Sequence, residues 1–351
     1  VQLKHIRCWE KFRQSPMLGK TIYFQQDPYP RGQDHNQPIT NHCDQPWRTL
    51  NIDLRGDCYL CMCEAHLPYC VGNILDFDSL DQVWQNPTAR IIQETIVNKS
   101  YTYCAVQHCG ILNHNNTMSR YHIGINIDES CNLACPSCRR EIINHVSGPV
   151  VDAKLQMVNH TVDLIAKFEH ELTISVCGSG DPLASAILRP VFTRYQPKPQ
   201  HRLKLQTNGL LIKKVLAPSP VWPYISEFNI SVDAATAQVY ETVRRPGKFH
   251  ILQANLAWLS ANKLPGTQVT LMFVVSAANI SDIVPFADFS NSLGFKAEYT
   301  KLDNWSTFDN FGKQDVVGNT EHPQHQLMLD QIRQIADRPD VRIQSYIRDL
   351  I

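Results

Sequence analysis

The chain has 351 residues, enough for two domains and a sizeable hydrophobic core. Its 33 Lys and Arg are balanced by 33 Asp and Glu, so there is no global basic signal for nucleic acid or an acidic membrane surface. No apolar run approaches the length of a membrane span and the N-terminus does not read as a signal peptide, so the 12 cysteines are expected to be intracellular metal ligands rather than a disulfide framework.

Residues 1–42 are rich in Gln, Pro and Asp and read as an irregular, turn-rich segment, either the tail of something absent or a wall over a substrate site. The chain starts at Val1 rather than Met, which points to a trimmed start; Cys8 stands alone and reads as structural. Residues 43–112 hold a first cysteine group: Cys43, Cys58, Cys61, Cys63, Cys70, Cys104 and Cys109. Two short strands are expected here, joined at Arg55-Gly56. Leu80, Val83, Trp84, Ile91, Ile92 and Ile96 recur at helical spacing, with Ser79 or Asp78 as the cap and Pro87 breaking the run into two helices. The polar stretch 113–120 reads as a linker.

From Tyr121 the pattern alternates. Strands are expected at 122–128, 172–177, 203–207, 227–233, 268–276 and 296–302, with helices at 151–169, 184–195, 236–244, 250–262 and 279–293. Alternation of this kind makes parallel strands with crossover helices, an α/β domain over 121–310. Residues 311–351 form a C-terminal helix and tail. The helix, 322–338, has Leu327, Leu329, Ile332 and Ile335 as its apolar positions, and VRIQSY is a final strand. His322 and His325 are expected to face solvent or cap rather than bind metal.

The chemistry concentrates after the first of the alternating strands, in HIGINIDESCNLACPSCRR. Cys131, Cys135 and Cys138, spaced C-x3-C-x2-C, put three thiolates within eight residues, a donor set for one soft metal centre. A cubane held by three cysteines leaves one iron open. Zinc is the other reading, with His145 as a conceivable fourth ligand.

This loop resembles the cluster motif of the radical S-adenosylmethionine (SAM) enzymes, with Ser137 where the family often has an aromatic residue. The resemblance implies a [4Fe–4S] cluster whose open iron chelates SAM, reductive cleavage of SAM to a 5′-deoxyadenosyl radical, and hydrogen abstraction from a substrate. It also implies a partial (βα)6 barrel with its chemistry at the carboxyl ends of the strands. Gly178-Ser179-Gly180-Asp181 resembles the family's glycine-rich motif after strand two, where backbone and acid meet SAM's amine. Asn208, at the end of strand three, lies at a position near SAM. Ser231 and Asp233, on strand four, match a position that contacts the ribose or methionine. Arg244 or Arg245 resembles the arginine that pairs SAM's carboxylate. The Asn304-Trp305 segment after strand six either lines the substrate mouth or plugs the barrel bottom.

Residues 43–112 resemble the SPASM or shorter twitch auxiliary-cluster domain of the same enzymes. Cys43, Gly56 and Cys61 fit its opening spacing. Gly72-Asn73-Ile74, Ser79-Leu80, Trp84 and the pair Cys104/Cys109 fit its continuation. The resemblance implies one auxiliary [4Fe–4S] cluster on Cys43, Cys61, Cys104 and Cys109, with Cys58, Cys63 and Cys70 as competitors and a zinc-ribbon-like module as the other reading. The family usually places this domain after the barrel; here it precedes it. The implied activity is modification of a peptide, with oxidation or rearrangement of a sugar-like molecule as the alternative. An electron donor such as flavodoxin or ferredoxin and a cytoplasmic location go with it. A zinc-binding interaction module is the rival of another class. No catalytic acid or base is assigned.

Overall fold

The computed structural model describes residues 32, 42–109, 112, 118–177 and 179–351. The expectations for 1–41 (Cys8 among them), for most of the linker and for Gly178 lie outside these. The chain divides into two compact units, the first built from residues up to 128, 147–178 and 195–202, the second from 129–146, 179–194 and 203–351.

The first unit opens with a single helical turn, α1 (Gln45–Arg48), and the hairpin β1 (Thr49–Ile52) and β2 (Asp57–Tyr59), followed by β3 (Cys70–Asn73). The hairpin turns where expected. Gly56 takes φ +81, closed to most side chains, and its N–H bonds the Asp53 carbonyl at 3.0 Å. The Asp53 carboxylate fixes the same turn by accepting from the N–H groups of Arg55 and Asp57. The helical run breaks at Pro87 into α2 (Leu80–Gln85) and α3 (Pro87–Val97), and the Asn86 side chain caps the second by accepting from the Ala89 N–H at 3.0 Å. Then come β4 (Tyr121–Ile125), α4 (Pro149–Lys167) and β5 (Leu172–Val176).

The strand order in this unit is β5-β4-β1-β2-β3. β4 pairs parallel with β5, and β1 pairs parallel with β4, Asn51 opposite Gly124. β1 to β3 pair antiparallel. One face carries Leu50, Ile52, Ile123, Ile125, Leu172, Ile174 and Val176, none more than 1% exposed. The other carries Asn51, His122, Thr173 and Ser175, all only partly buried. A parallel sheet covered on both faces would be apolar on both. Here one face is built for polar company.

The second unit holds α5 (Arg189–Thr193), β6 (His201–Thr207), α6 (Ile212–Leu216), β7 (Ile225–Ser231), α7 (Ala237–Val243), α8 (Phe249–Asn262) and β8 (Gln268–Val275). It continues with α9 (Ile283–Ser292), β9 (Lys296–Lys301), α10 (His325–Ile335), β10 (Val341–Ile343) and α11 (Ser345–Arg348). Its strands run β10-β9-β8-β7-β6, every pair parallel. The faces split as in the first unit: Phe228, Ile230, Leu271, Phe273 and Tyr299 are fully buried, while Asn229, Ser231, Thr270 and Thr300 on the opposite face are half-buried. Within each unit parallel strands alternate with helices along the chain, the α/β architecture expected.

Two expectations need correction, and one open alternative is narrowed. The helix at 184–195 shrinks to Arg189–Thr193, because the Asp181 carboxylate takes the N–H groups of Leu183 and Ala184 at 3.0 and 3.2 Å and holds that stretch in a turn. In α10 the buried stripe is Met328, Leu329, Ile332 and Ile335, while Leu327 is exposed: its direction lies about 80° beyond the stripe's edge at 3.6 residues per turn. Trp305 is 56% exposed and plugs no core.

Candidate functional site

In the second unit the loop after β4 is folded by its own backbone. The Cys131 N–H donates to the Ile143 carbonyl at 2.7 Å, closing the loop's base. The N–H groups of Cys138 and Arg139 both donate to the Cys135 carbonyl, at 2.9 and 3.0 Å, which turns the Cys138 side of the loop back on Cys135. Cys131 is half-buried, Cys135 buried and Cys138 exposed. Burial pushes the Cys131 thiol up to about 11 and raises that of Cys135. Two arginines stand against the three sulfurs. Arg139 hydrogen-bonds Cys138 and also donates to the Glu129 and Ser179 carbonyls. Arg244 donates from a terminal guanidinium nitrogen to the Cys135 sulfur at 3.8 Å. Cations beside thiols favour the thiolate, the form that ligates metal.

The other motifs of this unit close on the same loop. The Asp181 N–H donates to the Ser130 carbonyl at 2.8 Å, and Gly180 lies so close to 129–130 that a Cβ there would overlap the Ser130 oxygen. The Asn208 amide donates to the Asn132 side chain at 2.8 Å and stands 3.9 Å from the Cys131 sulfur. The Ala134 N–H donates to the Arg245 carbonyl at 2.7 Å.

The structure also shows what two of the acids are occupied with. The Asp181 carboxylate is buried and accepts four hydrogen bonds, from Thr207 Oγ1, Asn208 N–H, Leu183 N–H and Ala184 N–H. It ties the motif's turn to the end of β6. The Asp233 carboxylate, on a residue at φ +64, pairs with Arg244 at 2.6 Å and accepts the Val274 N–H at 2.8 Å. Arg245 is exposed, and Ser231 is half-buried on the polar face of β7. His145, the conceivable zinc ligand, points its ring at Glu129, 3.4 Å away. Among the described residues no three Cys, His, Asp or Glu side chains converge at the distances of a single metal ion.

The first unit holds the second thiol group. Cys43, Cys61, Cys104 and Cys109 line one cavity, with Tyr101 and Leu67 among its apolar walls. Burial pushes the thiols of Cys43 and Cys61 up to about 11 and 12, and each of these two feels Cys109 as a further negative neighbour. Four sulfurs in an apolar pocket suit a cluster that brings its own sulfide and iron. The competitors fall elsewhere. Cys58 and Cys70 lie in the β2–β3 ladder and bond the Gly56 and Gly72 carbonyls. Cys63 is half-buried and offers its N–H to the Cys61 sulfur.

One group escapes any reading of the sequence. Glu64 is pushed up to about 7, by burial first and then by the Asp53 carboxylate, with Arg55 pulling the other way. Asn51 donates to it at 3.0 Å and accepts from Asn126 at 2.5 Å. Gly124 is the residue that leaves room for the Asn51 side chain. A carboxyl so placed can hold or release a proton near neutrality. Its partners come from three separate strands or strand ends, so no local pattern announces it.

Comparison with known proteins adds the following. Residues 43–110 match the SPASM family, an iron–sulfur cluster-binding domain. The chain is 25% identical over 177 residues to the mycofactocin maturase MftC of Mycobacterium tuberculosis, covering 49% of this chain and 42% of that protein. It is 24% identical over 165 residues to the AdoMet-dependent heme synthase of Methanosarcina barkeri, covering 47% of this chain and 45% of that protein. The chain thus spans less than half the length of these relatives. Among solved structures it is similar to Streptococcus suis SuiB bound to the precursor peptide SuiA, at a TM-score of 0.41 and 14% identity, over 76% of this chain and 55% of that one. No helix among the described residues is long and apolar enough to cross a membrane. The SPASM match at 43–110 and the three-cysteine loop after β4 thus lie, in that order, in a chain that is similar to a mycofactocin maturase over half its length.

Proposed function

We propose that this chain cleaves SAM reductively and uses the resulting radical to modify a peptide. The observation that carries the reading is the convergence, within the second unit, of the three-cysteine loop with Gly180–Asp181, Asn208 and the Arg244-Arg245 pair. Cys131, Cys135 and Cys138 hold the cluster. A [4Fe–4S] cluster bound there would supply one-electron reduction of SAM. The backbone of Ser179 and Gly180, continuing from Gly178, approaches SAM's amine. The Asp181 carboxylate positions that backbone. Asn208 and Ser231 offer polar groups to the ribose side. Arg245, the exposed member of the pair, takes SAM's carboxylate.

Cys43, Cys61, Cys104 and Cys109 would hold the auxiliary cluster, which would supply an electron sink or an anchor for the substrate. The SPASM match and the likeness to a maturase support a peptide as that substrate. A flavodoxin or ferredoxin supplies the electron, and the work is done in the cytoplasm, where thiols stay reduced. The test is anaerobic incubation with SAM and dithionite. We expect 5′-deoxyadenosine and methionine to form, at more than one equivalent per chain. Recovery of unchanged SAM from iron-loaded protein would reject the activity.

A further inference from the structure

One of the two arginines beside the loop's thiols is spoken for. Arg244 sits at the end of α7, its guanidinium largely buried. One terminal nitrogen is 2.6 Å from the Asp233 carboxylate and the other 3.8 Å from the Cys135 sulfur. Its Nε–H is buried without a hydrogen-bond partner among the described residues. Asp233 is itself fixed, by the Val274 N–H on its carboxylate and by Asn279, whose amide donates to the Asp233 carbonyl at 3.0 Å. A guanidinium held this way has little freedom to swing out and grip a ligand's carboxylate. Arg139, by contrast, flanks the exposed Cys138, where solvent screens it.

We propose that Arg244, clamped by Asp233, is a positioning and potential-setting residue: it donates a charged hydrogen bond to the Cys135 sulfur and eases reduction of the cluster. The inference rests on the cluster assignment above. Reduction adds negative charge to the cluster and its thiolates. A cationic donor on one sulfur stabilises the reduced form more than the oxidised one, and hydrogen bonds to the sulfurs are among the levers that set cluster potentials. Burial strengthens the effect, because the Arg244 charge is poorly screened. The unpaired Nε–H fits the same picture, since a group seated beside Cys135 would give it an acceptor.

The test uses whole protein reconstituted with iron and sulfide. Three variants are compared with the wild type: Arg244→Lys, Arg244→Gln paired with Asp233→Asn so that no lone charge stays buried, and Arg245→Gln. The readouts are iron content, the midpoint potential of the SAM cluster followed by electron paramagnetic resonance without SAM, and the SAM Kd. The double variant is expected to retain iron, move the potential to more negative values and change the SAM Kd less than about threefold. Arg244→Lys should shift the potential in the same direction by less. Arg245→Gln should leave the potential in place and raise the SAM Kd about tenfold, the loss of one charged hydrogen bond. An unmoved potential in the double variant, a tenfold weaker SAM Kd in Arg244→Lys, or loss of iron from both Arg244 variants would overturn the proposal. Wild-type protein that takes up no iron would instead sink the cluster assignment itself.

Discussion

A Cys131→Ala variant is expected to form no 5′-deoxyadenosine from SAM, while Cys104→Ala goes on cleaving SAM but no longer completes turnover of a substrate. The two cysteines sit in different units and line different sites. Cys131 is one of only three thiols on its loop, so its loss leaves two ligands for a cluster that already has one open iron. The loop itself should survive. Its base is closed by the Cys131 backbone N–H on Ile143, which alanine keeps. Cys104 lines the four-thiol cavity of the segment that matches SPASM, to which the proposed function gives no part in SAM cleavage. Product analysis by mass spectrometry, with iron counted in both variants, checks the pair. Equal loss of SAM cleavage in the two would contradict separate roles.

Gly180→Ala should be nearly as damaging, although it removes no ligand. A Cβ on Gly180 would overlap the Ser130 carbonyl oxygen and lie 2.6 Å from the Glu129 carbonyl carbon and oxygen. All three atoms are backbone, so no side chain can swing aside. Nor can the motif retreat easily, because the Asp181 carboxylate anchors it through four hydrogen bonds to its own turn and to the end of β6. The expected cost is about 3 kcal/mol of overpacking strain, taken up by breaking the bond from Asp181 N–H to Ser130 and displacing the loop that carries Cys131. Gly266→Ala is the control. Gly266 has φ +85 but nothing within 4 Å of its Cβ position, so only the conformational penalty of about 1 kcal/mol applies. Denaturant unfolding and SAM binding measured on both variants separate the two effects. Gly180→Ala with wild-type affinity for SAM would mean that this contact does not matter.

What was legible in the chain was what is local. The C-x3-C-x2-C loop, the β1–β2 turn at Gly56 and the break at Pro87 depend on neighbours within a few residues. The period of two in the strands from 122 onward depends only on which side chains face the helices. What stayed hidden depends on partners far away in sequence. Asp181 reads as an acid free for a ligand until Thr207 and Asn208 are found bonded to it. Arg244 reads as interchangeable with Arg245 until Asp233 is found holding it. Cys58 and Cys70 stand as competitors of Cys61 until strand pairing carries them into the β2–β3 ladder. The missed short elements, β3 and α6, have only four and five residues, too few to show a period. Glu64 is the extreme case, a carboxyl whose proton affinity is set by burial and by charges on the β1–β2 turn.

The most direct measurement is the electron paramagnetic resonance spectrum of the dithionite-reduced, iron-reconstituted protein, recorded before and after SAM is added. An open iron on the Cys131, Cys135 and Cys138 loop predicts a cubane signal that changes shape when SAM binds, and that is absent from Cys131→Ala. A cluster signal in the wild type that is indifferent to SAM, or that persists unchanged in Cys131→Ala, would contradict the account.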